Sequence, residues 1–148
     1  MSRTLTAALG FVIGAGWMFT TTAQQPTRRY INPRSAANAA AANQPPFSGA
    51  VLANGTVYVS GMLGTGDTAE AAATTALNSI QNALKAADMT MDDLVWIQVM
   101  TPDTANYDGF NKVYRTFFKQ EFPARAFLGS GPLLNNAKFE VMGTAVKR

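Results

Sequence analysis

The sequence contains no cysteine and no histidine. Without cysteine there is no disulfide and no thiolate nucleophile; without histidine there is no Ser-His-Asp triad, and the ordinary zinc sites lose their ligands. Charge is scarce as well, with 14% of residues ionisable as Asp, Glu, Lys or Arg. The nine acids are scattered without the paired spacing of a metal site, and Asp92-Asp93, at the start of a strand, reads as a cap or a solvated face. No metal and no cofactor is therefore expected. The chemistry still open to the chain is that of arginine, a lone carboxylate, backbone groups and water.

Long apolar runs are also lacking, apart from Leu5 to Phe19. Arg3 precedes that run, and small residues, Thr21 and Ala23, follow it. This is the order of a secretory signal peptide cleaved after Ala23. The run is short for a membrane span of ~20 apolar residues, which is the competing reading, an uncleaved anchor. The expectation is a leader over residues 1–23, a periplasmic or secreted protein, and no stable membrane association once the leader is removed. Losing Arg3 leaves eleven basic groups against nine acidic ones. In an oxidising compartment without cysteine, the fold must rely on its core, or on other subunits.

What is present suits one domain, since 148 residues with 47% hydrophobic content support a single core. Residues 24–45 form a Pro/Ala/Asn-rich lead-in with little apolar bulk, within which Arg29-Tyr-Ile-Asn32 can make a short edge strand. Arg28, Arg29 and Arg34 have no acidic neighbour in sequence and read as a solvated tail; without interleaved aromatics they do not make a nucleic-acid surface. The folded domain is expected over 46–148.

Asn54-Gly55 between Ala50-Val-Leu-Ala and Thr56-Val-Tyr-Val marks a β-hairpin. Gly61-Met-Leu-Gly-Thr-Gly66 reads as a loop leading into a helix and matches neither the dinucleotide spacing nor the P-loop. Asp67-Thr-Ala-Glu70 resembles a capping box, and Ala73, Leu77, Ile80, Leu84 and Ala87 form one apolar stripe behind it. Asp88 stands where a left-handed residue ends such a helix. Leu94–Met100 is a strand apolar on both faces, with Val95, Ile97 and Val99 on one and Leu94, Trp96 and Met100 on the other. A second helix is expected over Thr104–Phe118, burying Tyr107, Phe110, Tyr114 and Phe117 or Phe118. Two apolar strands joined by a Gly/Pro loop close the chain between Phe122 and Val146.

The order hairpin, helix, strand, helix, strand, strand points to an α+β sheet with two helices on one face. The other face would stay uncovered and apolar, so an oligomer with sheet faces inside is expected. The closing strands each carry one charge in apolar surroundings, Arg125 and Glu140. The planar fork of Arg125 suits bidentate capture of a carboxylate, or it is a structural partner of Glu140 or an edge arginine in water. Glu140 can orient or deprotonate a water, or pair with Lys138 or Arg125.

With these residues quoted, the chain resembles the RidA (YjgF) family of deaminases acting on reactive enamines and imines. The resemblance runs from about Pro46 to Arg148. It is carried by Pro46-Phe-Ser-Gly-Ala-Val51, Val57-Tyr-Val-Ser-Gly61, the helix ending Ala-Leu-Lys-Ala-Ala87, and Tyr107 through Asn111 to Tyr114 and Phe118. Pro123-Ala-Arg125 and Lys138-Phe-Glu140-Val-Met-Gly-Thr-Ala-Val146 complete it. It implies a chorismate-mutase-like fold and a homotrimer with three intersubunit clefts. There Arg125 would bind the carboxylate of an imino or keto acid and Glu140 would place the hydrolytic water. Phe47, Gly61, Phe127 and Asn111 would line the cleft. The implied reaction is hydrolysis of 2-imino or enamine acids to 2-keto acids and ammonia; the alternative is a non-catalytic module binding small carboxylates on the same scaffold. Phe47 stands where many relatives have tyrosine, Met62 where glutamine is common, and Phe127 where a smaller residue is usual.

Overall fold

The computed structural model describes residues 27–31, 45 and 47–148. The leader 1–23, Arg34 and most of the lead-in lie outside the described residues. Strands β1 (Arg28–Ile31), β2 (Ala50–Ala53), β3 (Thr56–Gly64), β4 (Leu94–Thr101), β5 (Ala124–Gly129) and β6 (Phe139–Val146) form one sheet. Helices α1 (Ala69–Lys85) and α2 (Tyr107–Tyr114) complete the fold. The sheet order is β1-β2-β3-β6-β4-β5; β4 and β5 are parallel and every other neighbouring pair is antiparallel.

Asn54 and Gly55 both adopt positive φ, 50° and 77°, and they close the β2–β3 hairpin as the sequence predicts. The edge strand expected near Arg29 is present. Arg29 is not without an acid, however: folding brings it 3.5 Å from Asp88 in an exposed ion pair. The stripe Ala73, Leu77, Ile80, Leu84 and Ala87 is buried. Asp88 ends the turn after α1 with φ 57°.

The cap of α1 differs from the expected one. Thr68, not Asp67, is the N-cap, and its hydroxyl accepts from the Ala71 N–H at 3.1 Å. The glycine-rich stretch after Gly61 is not a loop either, since β3 continues to Gly64 and pairs with β6 to Phe139. Gly64 faces the backbone of α1 at close range. A methyl there would meet the Ala72 carbonyl carbon at 3.2 Å and the Ala76 Cβ at 3.2 Å. Because backbone cannot yield cheaply, Gly64→Ala is expected to lower stability by about 1–3 kcal/mol, read as a lower urea midpoint at unchanged slope.

Both helices pack on one face. Val57, Val59, Ile97, Val99, Phe139, Val141 and Ala145 point into the core beneath them. The strand expected to be apolar on both faces is so, but with one exchange. A bulge between Leu94 and Trp96 shifts the β4–β6 register, turning Leu94 into the core and leaving Val95 exposed. The opposite face carries Tyr30, Tyr58, Trp96, Leu128 and Val146, each at least partly open to solvent. Such a run of large apolar side chains is unusual on a lone soluble domain.

Candidate functional site

Arg125 lies on the helix face of β5. It pairs with the buried Ile97 of β4, and residues directly opposite each other share a face. Above it stands α2, which is shorter than predicted: single 3₁₀ turns at Thr104–Asn106 and Arg115–Phe117 flank the eight α-helical residues. Asn111 is buried among apolar neighbours at 8% exposure. A buried amide must find a partner, and it finds one in Arg125, whose Nη1 donates to Asn111 Oδ1 at 2.7 Å. Nη2 donates to the Tyr107 hydroxyl at 3.4 Å. The guanidinium carbon stands 4.7 Å from the centre of the Tyr114 ring, close enough for a cation–π contact.

This clamp corrects two expectations. Tyr107 is not in the buried stripe; it is 44% exposed, its ring edge-on to Phe127 and its hydroxyl turned to Arg125. Nor does Arg125 pair with Glu140. Glu140 is opposite Met100 and Leu63 and lies between the buried Phe139 and Val141, so it projects from the other face of the sheet. Among the described residues, no carboxylate lies within 4.0 Å of Arg125. Its guanidinium is fixed by neutral groups, which leaves its charge for a ligand.

A hollow of about 260 Å³ opens beside Arg125, walled by Tyr107, Asn111, Tyr114, Phe122 and Pro123, with Arg115 at its rim. That is small for a ligand pocket and fits a small acid. Phe127 does not line it. Its ring packs on Phe110 and Phe139, supporting the wall from the core side.

Tyr114 was expected only as core, yet its hydroxyl is buried without a hydrogen-bond partner. Burial pushes its pKa up from the usual 10.0 to about 12, against the lowering effect of the Arg125 charge. The folded chain therefore holds this proton to higher pH than the unfolded chain. Stability from this group is intact below pH 10 and is lost as the pH climbs towards about 12. Tyr114→Phe is expected to flatten that alkaline loss and to raise stability at pH 7 by about 1 kcal/mol, because an unsatisfied buried hydroxyl is removed. Urea midpoints of both forms at pH 7 and pH 11 check this.

On the far face, Glu140 lies against Gly61. The β3–β6 register slips between Val59 and Met62, so Ser60 and Gly61 form a bulge. Ser60 turns instead to the preceding segment, where its N–H donates to the Gly49 carbonyl at 3.0 Å and its hydroxyl to the Ser48 carbonyl at 2.7 Å. Phe47, exposed, precedes that contact. Gly61 leaves the space that the Glu140 carboxylate occupies, since a Cβ there would collide with Oε1 and lie 2.9 Å from Cδ.

The predicted residues thus fall into two groups. Arg125 and Asn111 stand together on the helix face, backed by Phe127; Gly61 and Glu140 meet on the open face, with Phe47 close along the chain. Sequence reading missed Tyr107 and Tyr114 as partners of Arg125, and it missed Arg115. The available signal was Asn111, a polar residue on the apolar side of α2, with Tyr107 and Tyr114 one turn before it and one after.

A mixed sheet with two helices on one face defines an α+β protein of chorismate-mutase-like architecture, with one guanidinium held open to a small hollow. Comparison with known proteins gives its kinship. The endoribonuclease L-PSP family model matches residues 37–147. The human 2-iminobutanoate/2-iminopropanoate deaminase is 32% identical over 111 residues, covering 69% of this chain and 80% of that protein. The Bos taurus enzyme of the same name is 35% identical over equal coverage. Among solved structures, a YjgF-family protein from Neisseria meningitidis superposes with a TM-score of 0.70 at 26% identity, covering 82% of this chain and 96% of that one. The chain belongs to the endoribonuclease L-PSP family, the YjgF/RidA family.

Proposed function

We propose that this protein is a deaminase of 2-imino acids and their enamine tautomers, with a site assembled between subunits of a homotrimer. The observation that carries the proposal is Arg125: held by Asn111 and Tyr107, without an acid partner, beside a hollow sized for a small acid. The names of the human and bovine relatives support the reaction class.

Because Arg125 and Glu140 project from opposite faces of one sheet, a single chain cannot turn both toward one ligand. Two chains can, when the open face of one approaches the α2–β5 edge of the next. The exposed aromatic and aliphatic side chains of the open face support such packing. In the assembled cleft Arg125 grips the substrate carboxylate, and the neighbouring Glu140 accepts a proton from water as its oxygen bonds to the imine carbon. The C=N electron pair moves to nitrogen, which takes up a proton. A second proton reaches nitrogen, the C–N bond breaks, and loss of the hydroxyl proton forms the keto acid as ammonia leaves. Imine and water give keto acid and ammonia, with no external oxidant or reductant.

RNA cleavage, suggested by the name of the family model, has less support, since the chain has no histidine to serve as general acid or base. We propose further that the leader expected over 1–23 is cleaved on export to the periplasm or beyond; a mature mass that places the first residue at Gln24 tests this. The test of activity is release of keto acid from freshly generated 2-iminopropionate. Acceleration over buffer supports the deaminase. Saturable heat of keto-acid binding without turnover supports the carboxylate-binding module instead.

A further inference from the structure

The hollow beside Arg125 has a second cation that the deaminase reading does not use. Arg115 borders it from the turn that ends α2, and none of the residues lining the hollow is acidic. Among the described residues Arg115 makes no side-chain hydrogen bond and has no carboxylate within 4.0 Å. Glu121 lines a separate, adjoining depression that shares Phe122 and Pro123 with this one.

The helix sets where the two arginines stand. Arg125 is pinned to Asn111, and Arg115, the C-cap of α2, is four residues further on, its backbone N–H donating to the Asn111 carbonyl. Side chains four apart on a helix are neighbours, about 5–6 Å between Cβ atoms. One guanidinium is therefore fixed at Asn111 while the other reaches over the same hollow from about one turn away. Two like charges beside an acid-free hollow attract anions, and a dianion can meet both.

We propose that this hollow selects a dicarboxylic acid: a 2-imino dicarboxylate as substrate and the 2-keto dicarboxylate as product. The carboxylate next to the imine carbon sits on Arg125, and the distal one on Arg115. This rests on the deaminase reading for its chemistry and adds a substrate class to it. The hydrolysis is unchanged, with water adding at the imine carbon and ammonia leaving.

The test is calorimetry on the full chain with 2-oxoglutarate, oxaloacetate, 2-oxobutyrate and phenylpyruvate, on wild type, Arg115→Gln and Arg115→Lys. Wild type is expected to bind the dicarboxylates about tenfold more tightly than 2-oxobutyrate, the ratio falling to about one in Arg115→Gln and largely surviving in Arg115→Lys. Equal or weaker binding of the dicarboxylates would overturn the proposal, as would a preference that persists in Arg115→Gln. Tightest binding of phenylpyruvate would overturn it too, in favour of the aromatic walls. If the keto monoacid also fails to bind, the role of Arg125 fails with it, an outcome distinct from loss of selectivity alone.

Discussion

Arg125→Ala is expected to lower kcat/KM for imine hydrolysis by about 100-fold or more. Removing one member of a partly buried, hydrogen-bonded charge pair costs about 2–5 kcal/mol, and in this site the lost partner is the anchor for the substrate carboxylate. Assembly should survive, because the contacts of the guanidinium are with Asn111, Tyr107 and Tyr114 of its own chain and the apolar open face is left unchanged. Arg125→Lys restores a charge but not the fork, and should recover only part of the loss. The comparison requires steady-state rates for the three forms together with their masses in solution. A variant that keeps full activity as the same oligomer would remove Arg125 from the mechanism.

Gly61→Ala should be nearly as damaging by a different route. The new methyl would occupy the place of the Glu140 carboxylate, and the side chain must swing away. What yields is the flexible end of a side chain rather than backbone, so the fold should lose little stability. Activity and stability are then expected to separate: turnover falls towards that of Glu140→Ala, while the urea midpoint stays near wild type. Gly64→Ala provides the contrast, since there the obstacle is the backbone of α1. Equal loss of stability in both variants would mean that the Gly61 bulge supports the fold rather than the position of Glu140.

Much of this architecture could be read from local chemistry. The Asn54-Gly55 turn, the apolar stripe of α1 and the left-handed Asp88 each depend on a few neighbouring residues, and each appears as expected. What could not be read depends on contacts distant in sequence. Gly61–Gly64 looked like a loop because glycines seldom favour strands, yet pairing with Phe139–Val141 extends β3 through them. The bulge after Leu94 puts Leu94 rather than Val95 in the core, and no periodic pattern reveals a one-residue slip. Arg29 acquired an acid only because β1 ends up beside the turn after α1.

The candidate site shows the same division. Arg125 and Glu140 stood out as charges in apolar strands, and that signal needed no structure. Which face each occupies depends on register, and the register separates them. The aromatic clamp on Arg125 was hidden because Tyr107 and Tyr114 satisfy the helical core pattern as well as they satisfy a cation. Asn111 was the legible exception, since a polar residue in that stripe needs a reason to be there.

The central claim is that Arg125 of one chain works with Glu140 of another, and subunit mixing tests it directly. Arg125→Ala and Glu140→Ala, each inactive alone, are unfolded together in equal amounts, refolded and assayed for imine hydrolysis. If clefts form between chains of a trimer, about a quarter of them should receive one intact arginine and one intact glutamate, and activity should return to about a quarter of wild type. Mixed oligomers, verified by mass, that remain inactive would contradict the account and require both residues to act from the same chain.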